Sequence, residues 1–118
     1  MEGKNWGQLL SVDLLECNPN LINNKKKLNE FCIGICNEID MVAFGNPIIN
    51  RFGEGDLEGF SLIQFIMTSS ITAHMDEIGN RAFIDIFSCK NFDAKKAENF
   101  CKNFFQAKKM KCKNSYRG

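Results

Sequence analysis

The sequence predicts an α/β sandwich (α+β) in which two helices cover one face of a largely antiparallel sheet, in the order β-α-β-β-β-α-β. Three observations carry that expectation. Apolar residues recur at helical spacing in two separate stretches, 28–39 and 97–105. The segments between and around them alternate or run apolar over strand lengths. The 118 residues, 44% hydrophobic and 25% charged, contain no repeat, linker or low-complexity tract, which is the composition of one folded domain spanning 1–118.

Residues 9–15 alternate Leu10, Val12 and Leu14 against Ser11 and Asp13, a half-buried strand. Cys17-Asn18-Pro19-Asn20 reads as a turn. Over residues 23–40 the stripe Leu28, Phe31, Cys32, Ile35, Cys36, Ile39 marks an amphipathic helix with asparagines available to cap its start. Residues 41–49 are expected to form a second strand, interrupted near Gly45-Asn46-Pro47. The glycine-rich, acidic stretch 50–59 lacks any phosphate-loop or dinucleotide pattern and reads as a hairpin. Strands follow at 60–67 and 82–88. Asp93 caps a second helix with the stripe Ala97, Phe100, Cys101, Phe104, Phe105, and residues 110–114 make a short final strand.

A formal charge of +1 gives no electrostatic reason for nucleic acid or a membrane surface as partner. The lysine clusters at 25–27 and 108–109 read as solvated faces. The sequence shows no membrane-length apolar run, and its first residues lack a leader's apolar core, so a cytoplasmic location is expected. Six cysteines in such a setting read as reduced thiols, and no Cys-x-x-Cys pair suggests zinc.

The chemistry concentrates in Thr68-Ser69-Ser70-Ile71-Thr72-Ala73-His74 and the strand that leads to Asp85-Ile86-Phe87-Ser88-Cys89. Several hydroxyls, the only histidine and a cysteine fall within about twenty residues, flanked by strands expected to bring Ser69, His74 and Cys89 towards one end of a sheet. Taken singly, each has a structural reading: a turn hydroxyl, a structural histidine, a buried thiol. Their joint spacing is what points to a nucleophilic site.

That spacing resembles the short bacterial and archaeal, pyruvoyl-dependent S-adenosylmethionine decarboxylases. Ser61, Ser69, Thr72, His74, Asp85, Phe87 and Cys89 fall at the family's spacings without a gap. Trp6-Gly7, Glu16-Cys17-Asn18, Arg51-Phe52, Gly59-Phe60-Ser61 and Arg117-Gly118 are similar to further family elements. The resemblance implies that the bond between Thr68 and Ser69 breaks by itself. The Ser69 hydroxyl attacks the Thr68 carbonyl, and elimination then leaves a β chain of 1–68 and an α chain of 69–118 that begins with a pyruvoyl group.

On the same resemblance Ser61 and His74 assist processing, and the pyruvoyl group at position 69 forms a Schiff base with the substrate amine. Cys89 then returns a proton to the substrate. No metal and no pyridoxal phosphate is implied, and a homodimer is, with each site completed by the neighbouring subunit. The product would be decarboxylated S-adenosylmethionine, the aminopropyl donor for spermidine in polyamine biosynthesis.

The sequence departs from the family's pattern at the site itself. Thr68 replaces a glutamate and Ser70 a histidine. Phe52 matches an aromatic that stacks on the substrate's adenine. Asp76 stands where an aromatic is usual and Ile78 where a glutamate holds the ribose, unless a one-residue shift brings Glu77 there. A carboxylate in place of an aromatic wall favours a cationic side chain, so arginine or ornithine is an alternative substrate. An unprocessed ligand-binding homologue is the non-enzymatic alternative.

Overall fold

The computed structural model describes residues 5–118; residues 1–4, part of the stretch read for a leader, lie outside it. Nine helices and strands follow in order among the described residues, β1 (Gly7–Leu15), α1 (Pro19–Ile22), α2 (Lys25–Glu38), β2 (Ile48–Phe52), β3 (Gly59–Ile66), β4 (Ser69–Asp76), β5 (Arg81–Ser88), α3 (Ala94–Phe104) and β6 (Lys109–Arg117), with a single 3-10 turn at Gly55–Leu57 between β2 and β3. The six strands form one sheet in the order β2-β3-β4-β5-β1-β6, with every neighbouring pair antiparallel.

Both long helices start and stop for local reasons. Asn24 Oδ1 accepts from Lys27 N to cap α2, and Asp93 Oδ1 accepts from Lys96 N to cap α3. Each helix ends in a left-handed residue, Asp40 (φ 57°) and Gln106 (φ 53°). The next amide then reaches back to the helix, Met41 N to Cys36 O and Ala107 N to Lys102 O, which satisfies otherwise free carbonyls.

The helices cover one sheet face. Leu10, Val12 and Leu14 of β1, Ile71 and Ala73 of β4, and Ile84 and Ile86 of β5 are buried against Leu28, Phe31, Cys32 and Ile35 of α2 and Ala97 and Cys101 of α3. Phe31 is the centre of this layer, with ring centroids of Phe100, Phe104 and Phe105 at 6.0, 5.5 and 4.8 Å. Cys17, Cys32, Cys36 and Cys101 are buried free thiols that pack as small apolar groups.

The architecture is the expected sandwich, with four local differences. Residues 69–76, expected only as a segment between strands, form a strand of their own. They join β3 and β5 into a continuous meander. The strand expected at 41–49 lies instead at Ile48–Phe52, because Gly45 (φ 73°) and Pro47 break the chain before it; Ala43 makes only an isolated bridge to Ile66. The turn at 17–20 winds into α1, with Pro19 at its first position and Asn18 Oδ1 accepting from Asn20 N. β6 runs the full length of β1, from Gly7↔Arg117 to Leu15↔Lys109, although its sequence is mostly polar.

Among the described residues, no helix covers the second sheet face. Ile48 and Phe52 of β2 and Ile63 and Phe65 of β3 are exposed there, and Trp6 stacks on Phe87 at 5.8 Å.

Candidate active site

β3 and β4 form a hairpin closed by the pair Ile66↔Ser69, so its loop is only Met67 and Thr68. Thr68 has φ 58°, a left-handed conformation that a β-branched residue adopts at a cost. Its hydroxyl donates to Met67 O at 2.6 Å and is in hydrogen-bond contact with Cys89 Sγ. Cys89 follows β5 directly, and its amide donates to Ser69 Oγ at 3.2 Å. Register explains the meeting: Ser69 pairs with Ser88, which places Cys89 beside the hairpin tip. A cleft of about 260 Å³ opens here, lined also by Asp40, Met41, Val42 and Lys90.

Ser61 and His74 form a second group. They are direct partners across β3 and β4, with Ser61 Oγ 2.8 Å from His74 Nδ1. The expected gathering of Ser69, His74 and Cys89 at one sheet end is therefore met only by Ser69 and Cys89. His74 lies five residues further along β4, roughly 17 Å at a strand's rise per residue. It also sits on the opposite face: Ile71, Ala73 and Met75, which share Ser69's parity, are buried, whereas His74 is exposed.

The face that bears His74 also bears the residues expected at the substrate. Phe52 ends β2 as a residue 58% exposed, outside the core. A cavity of about 440 Å³ runs from Phe52 and Asn50 past Ser61 to Thr72 and His74. A second, of about 450 Å³, is lined by Leu57, His74, Asp76, Arg81 and Phe83. Phe83 and Arg81 had no place in the sequence reading. The available signal was the strand pairing itself, since Phe83 lies directly opposite His74 and Arg81 opposite Asp76.

Asp76 and Glu77 are both already paired. Arg81 Nε donates to Asp76 Oδ2 at 2.7 Å, and Gly79 N donates to Oδ1. Glu77 receives both Arg51 Nη groups, at 2.8 and 3.2 Å, while Arg51 Nε reaches Glu58 at 3.1 Å. Partial burial raises the Asp76 carboxyl, but Arg81 and the Gly79 amide outweigh it and hold it below its ordinary value. Among the described residues, no group of three or more His, Cys, Asp or Glu side chains is placed to hold a metal, and no helix is long and apolar enough to cross a membrane.

Residues 8–118 match the S-adenosylmethionine decarboxylase family. The chain belongs to that family. Among solved structures, the adenosylmethionine decarboxylase from Aquifex aeolicus is similar over 98% of this chain and 93% of its own, with a TM-score of 0.82 and 17% identity. At that identity the likeness speaks to the fold. No curated protein sequence matches the chain. Membership of the S-adenosylmethionine decarboxylase family makes decarboxylation the class of chemistry for which the two residue groups are to be read.

Proposed function

We propose that this chain is a self-processing, pyruvoyl-dependent decarboxylase of S-adenosylmethionine, cut between Thr68 and Ser69 and active as a homodimer. The observation that carries the reading is the hairpin tip. A serine directly follows a left-handed threonine, with its Oγ against the Cys89 amide and the Cys89 thiol alongside.

These residues fit the formation of a pyruvoyl group. The Ser69 hydroxyl attacks the preceding carbonyl, the Thr68–Ser69 C–N bond gives way to an ester, and elimination releases a chain that ends at Thr68. Water then replaces the α-nitrogen of residue 69, which leaves as ammonia. Once formed, the group supplies an electron-withdrawing carbonyl for loss of carbon dioxide from a bound amino acid. Cys89 is the proton donor to the substrate carbon, its thiol being in hydrogen-bond contact with the cleavage turn. Ser61 and His74 act as a proton-exchanging pair in processing, because a hydroxyl bonded to imidazole can pass its proton at neutral pH.

The separation of the two groups along β4 supports a shared site. A second copy seated on the helix-free face would bring its own Ser61 and His74 towards the exposed Thr68 of the first copy's cleavage turn, Ser69 Oγ itself lying on the helix side. It would also cover exposed Ile63 and Phe65. Phe52 offers a flat, open ring for the adenine.

Arginine and ornithine fit less well. Asp76 and Glu77 are each held by an internal guanidinium, so a basic substrate would have to displace Arg81 or Arg51 to reach a carboxylate. Mass measurement of the intact protein tests the reading first. Two fragments divided between Thr68 and Ser69 are expected, together with carbon dioxide release from S-adenosylmethionine above that from arginine or ornithine. Ser69→Ala should leave an inactive single chain, and Cys89→Ala should cut but decarboxylate poorly. A wild-type chain that stays whole while active would overturn it.

A further inference from the structure

Cys89 is tied to both sides of one peptide bond. Its amide donates to Ser69 Oγ, on the C-terminal side, and its thiol meets Thr68 Oγ1, on the N-terminal side. The direction of the second contact follows from proton counting. The Thr68 hydroxyl has a single hydrogen, and that hydrogen is donated to Met67 O at 2.6 Å, so towards Cys89 it accepts and the thiol donates. Thr68 is exposed, and among the left-handed non-glycine residues of the described chain (Glu16, Asp40, Thr68, Asn80 and Gln106) it alone is β-branched. The two-residue loop between β3 and β4 imposes that conformation.

We infer that Thr68 masks the Cys89 thiol in the uncut chain and surrenders it when the Thr68–Ser69 bond breaks. This rests on the self-cleavage reading above for the release, though not for the mask. With the bond intact, Thr68 cannot move without Ser69, and the thiol's hydrogen is engaged. With it cut, Thr68 is the end of a chain that carries the former Ser69 Oγ away in its carboxylate and is free to relax from its left-handed conformation, while Cys89 stays beside residue 69 because Ser69 and Ser88 are register partners. The same event that creates the electrophile then frees the thiol next to it. Thr68 is thus a positioning residue that acts through Cys89.

The test is the alkylation rate of Cys89 by iodoacetamide, followed by peptide mass mapping. Exposed Cys112 serves as internal reference and buried Cys32 as a check on folding. In the uncut Ser69→Ala chain, adding Thr68→Val should speed alkylation of Cys89 about three- to tenfold, the equivalent of one lost hydrogen bond. Adding Thr68→Ser instead should restore the slow rate, a rescue that a purely steric role would not give. The cut wild-type protein should react as fast as the valine variant.

Equal rates in the Ser69→Ala chain with and without Thr68→Val would overturn the mask. A cut wild-type protein that reacts as slowly as the uncut chain would overturn the release. If the wild-type chain never cuts, the self-cleavage reading and the release fail together, and the valine comparison still decides the mask.

Discussion

Ser61 Oγ and His74 Nδ1 are 2.8 Å apart across the β3–β4 ladder, on the sheet face opposite to that shared by Ser69. If this pair acts on the neighbouring subunit's cleavage turn, two defective chains should repair each other. A His74→Ala chain co-expressed with a differently tagged Ser69→Ala chain should be cut, because the second supplies the histidine that the first lacks. The Ser69→Ala chain itself should stay whole. His74→Ala expressed alone should process on the order of a hundredfold more slowly, the usual loss for a general acid–base group. Mass spectra of the mixed and separate preparations decide it, and absence of cutting in the mixture would place the whole site within one chain.

Phe31 is fully buried and touches three other rings between α2 and α3. Phe31→Ala should therefore lower unfolding stability by about 3–5 kcal/mol. Urea denaturation followed by circular dichroism measures it. A loss under 1 kcal/mol would mean that the helix layer closes over the gap.

Burial raises the Cys17 thiol to about 11 and the Cys32 thiol to about 12, from 9.0, and pushes Cys101 higher still. The folded chain therefore keeps these protons at pH values where the unfolded chain has released them. Their contribution to stability is complete below pH 9 and declines as pH rises through 9 towards 12, by roughly 1.4 kcal/mol per pH unit for each thiol. Denaturation midpoints at pH 8, 9.5 and 10.5 should fall in that order. Cys32→Ala should shallow the fall, and an identical slope in that variant would contradict the assignment.

The sign reverses at Asp76. Its carboxyl is held below the ordinary value of 3.8 by Arg81 and the Gly79 amide despite partial burial. The stabilisation is present above that ordinary value and is lost as pH falls through the lower folded one. Asp76→Asn should cost less than about 1 kcal/mol at pH 7, since the pair is partly solvated. The difference between variant and parent should vanish by pH 2, and a difference that persists in strong acid would implicate packing instead of charge.

The helices were legible because their evidence is local. Asn24 and Asp93 sit where caps belong, and the apolar stripes recur at the helical period up to Cys36 and Phe105. β6 was cut short because Lys111, Lys113 and Asn114 carry no apolar alternation; its length is set by the ladder it makes with β1, which lies a hundred residues away in sequence. Strand β4 was hidden by its own chemistry, since Ser69, Ser70, Thr72 and His74 look like a loop until β3 and β5 flank them. Spacing correctly brought Ser69 and Cys89 together, because β4 and β5 are successive strands of one hairpin and Ser69 pairs with Ser88. It failed for His74: one alternation along a strand turns a side chain to the other face, and nearness in sequence does not record which face that is.

Strand β1 lies between β5 and β6, yet it precedes Thr68 while both of its neighbours follow it. A nick at the hairpin tip would therefore produce two interwoven polypeptides, with the first one's leading strand clasped between two strands of the second. Separating them would mean unzipping the β1–β5, β1–β6 and β3–β4 ladders, of seven, nine and six register pairs. The broken molecule needs no covalent tether to remain whole, and its matured form should melt as one body.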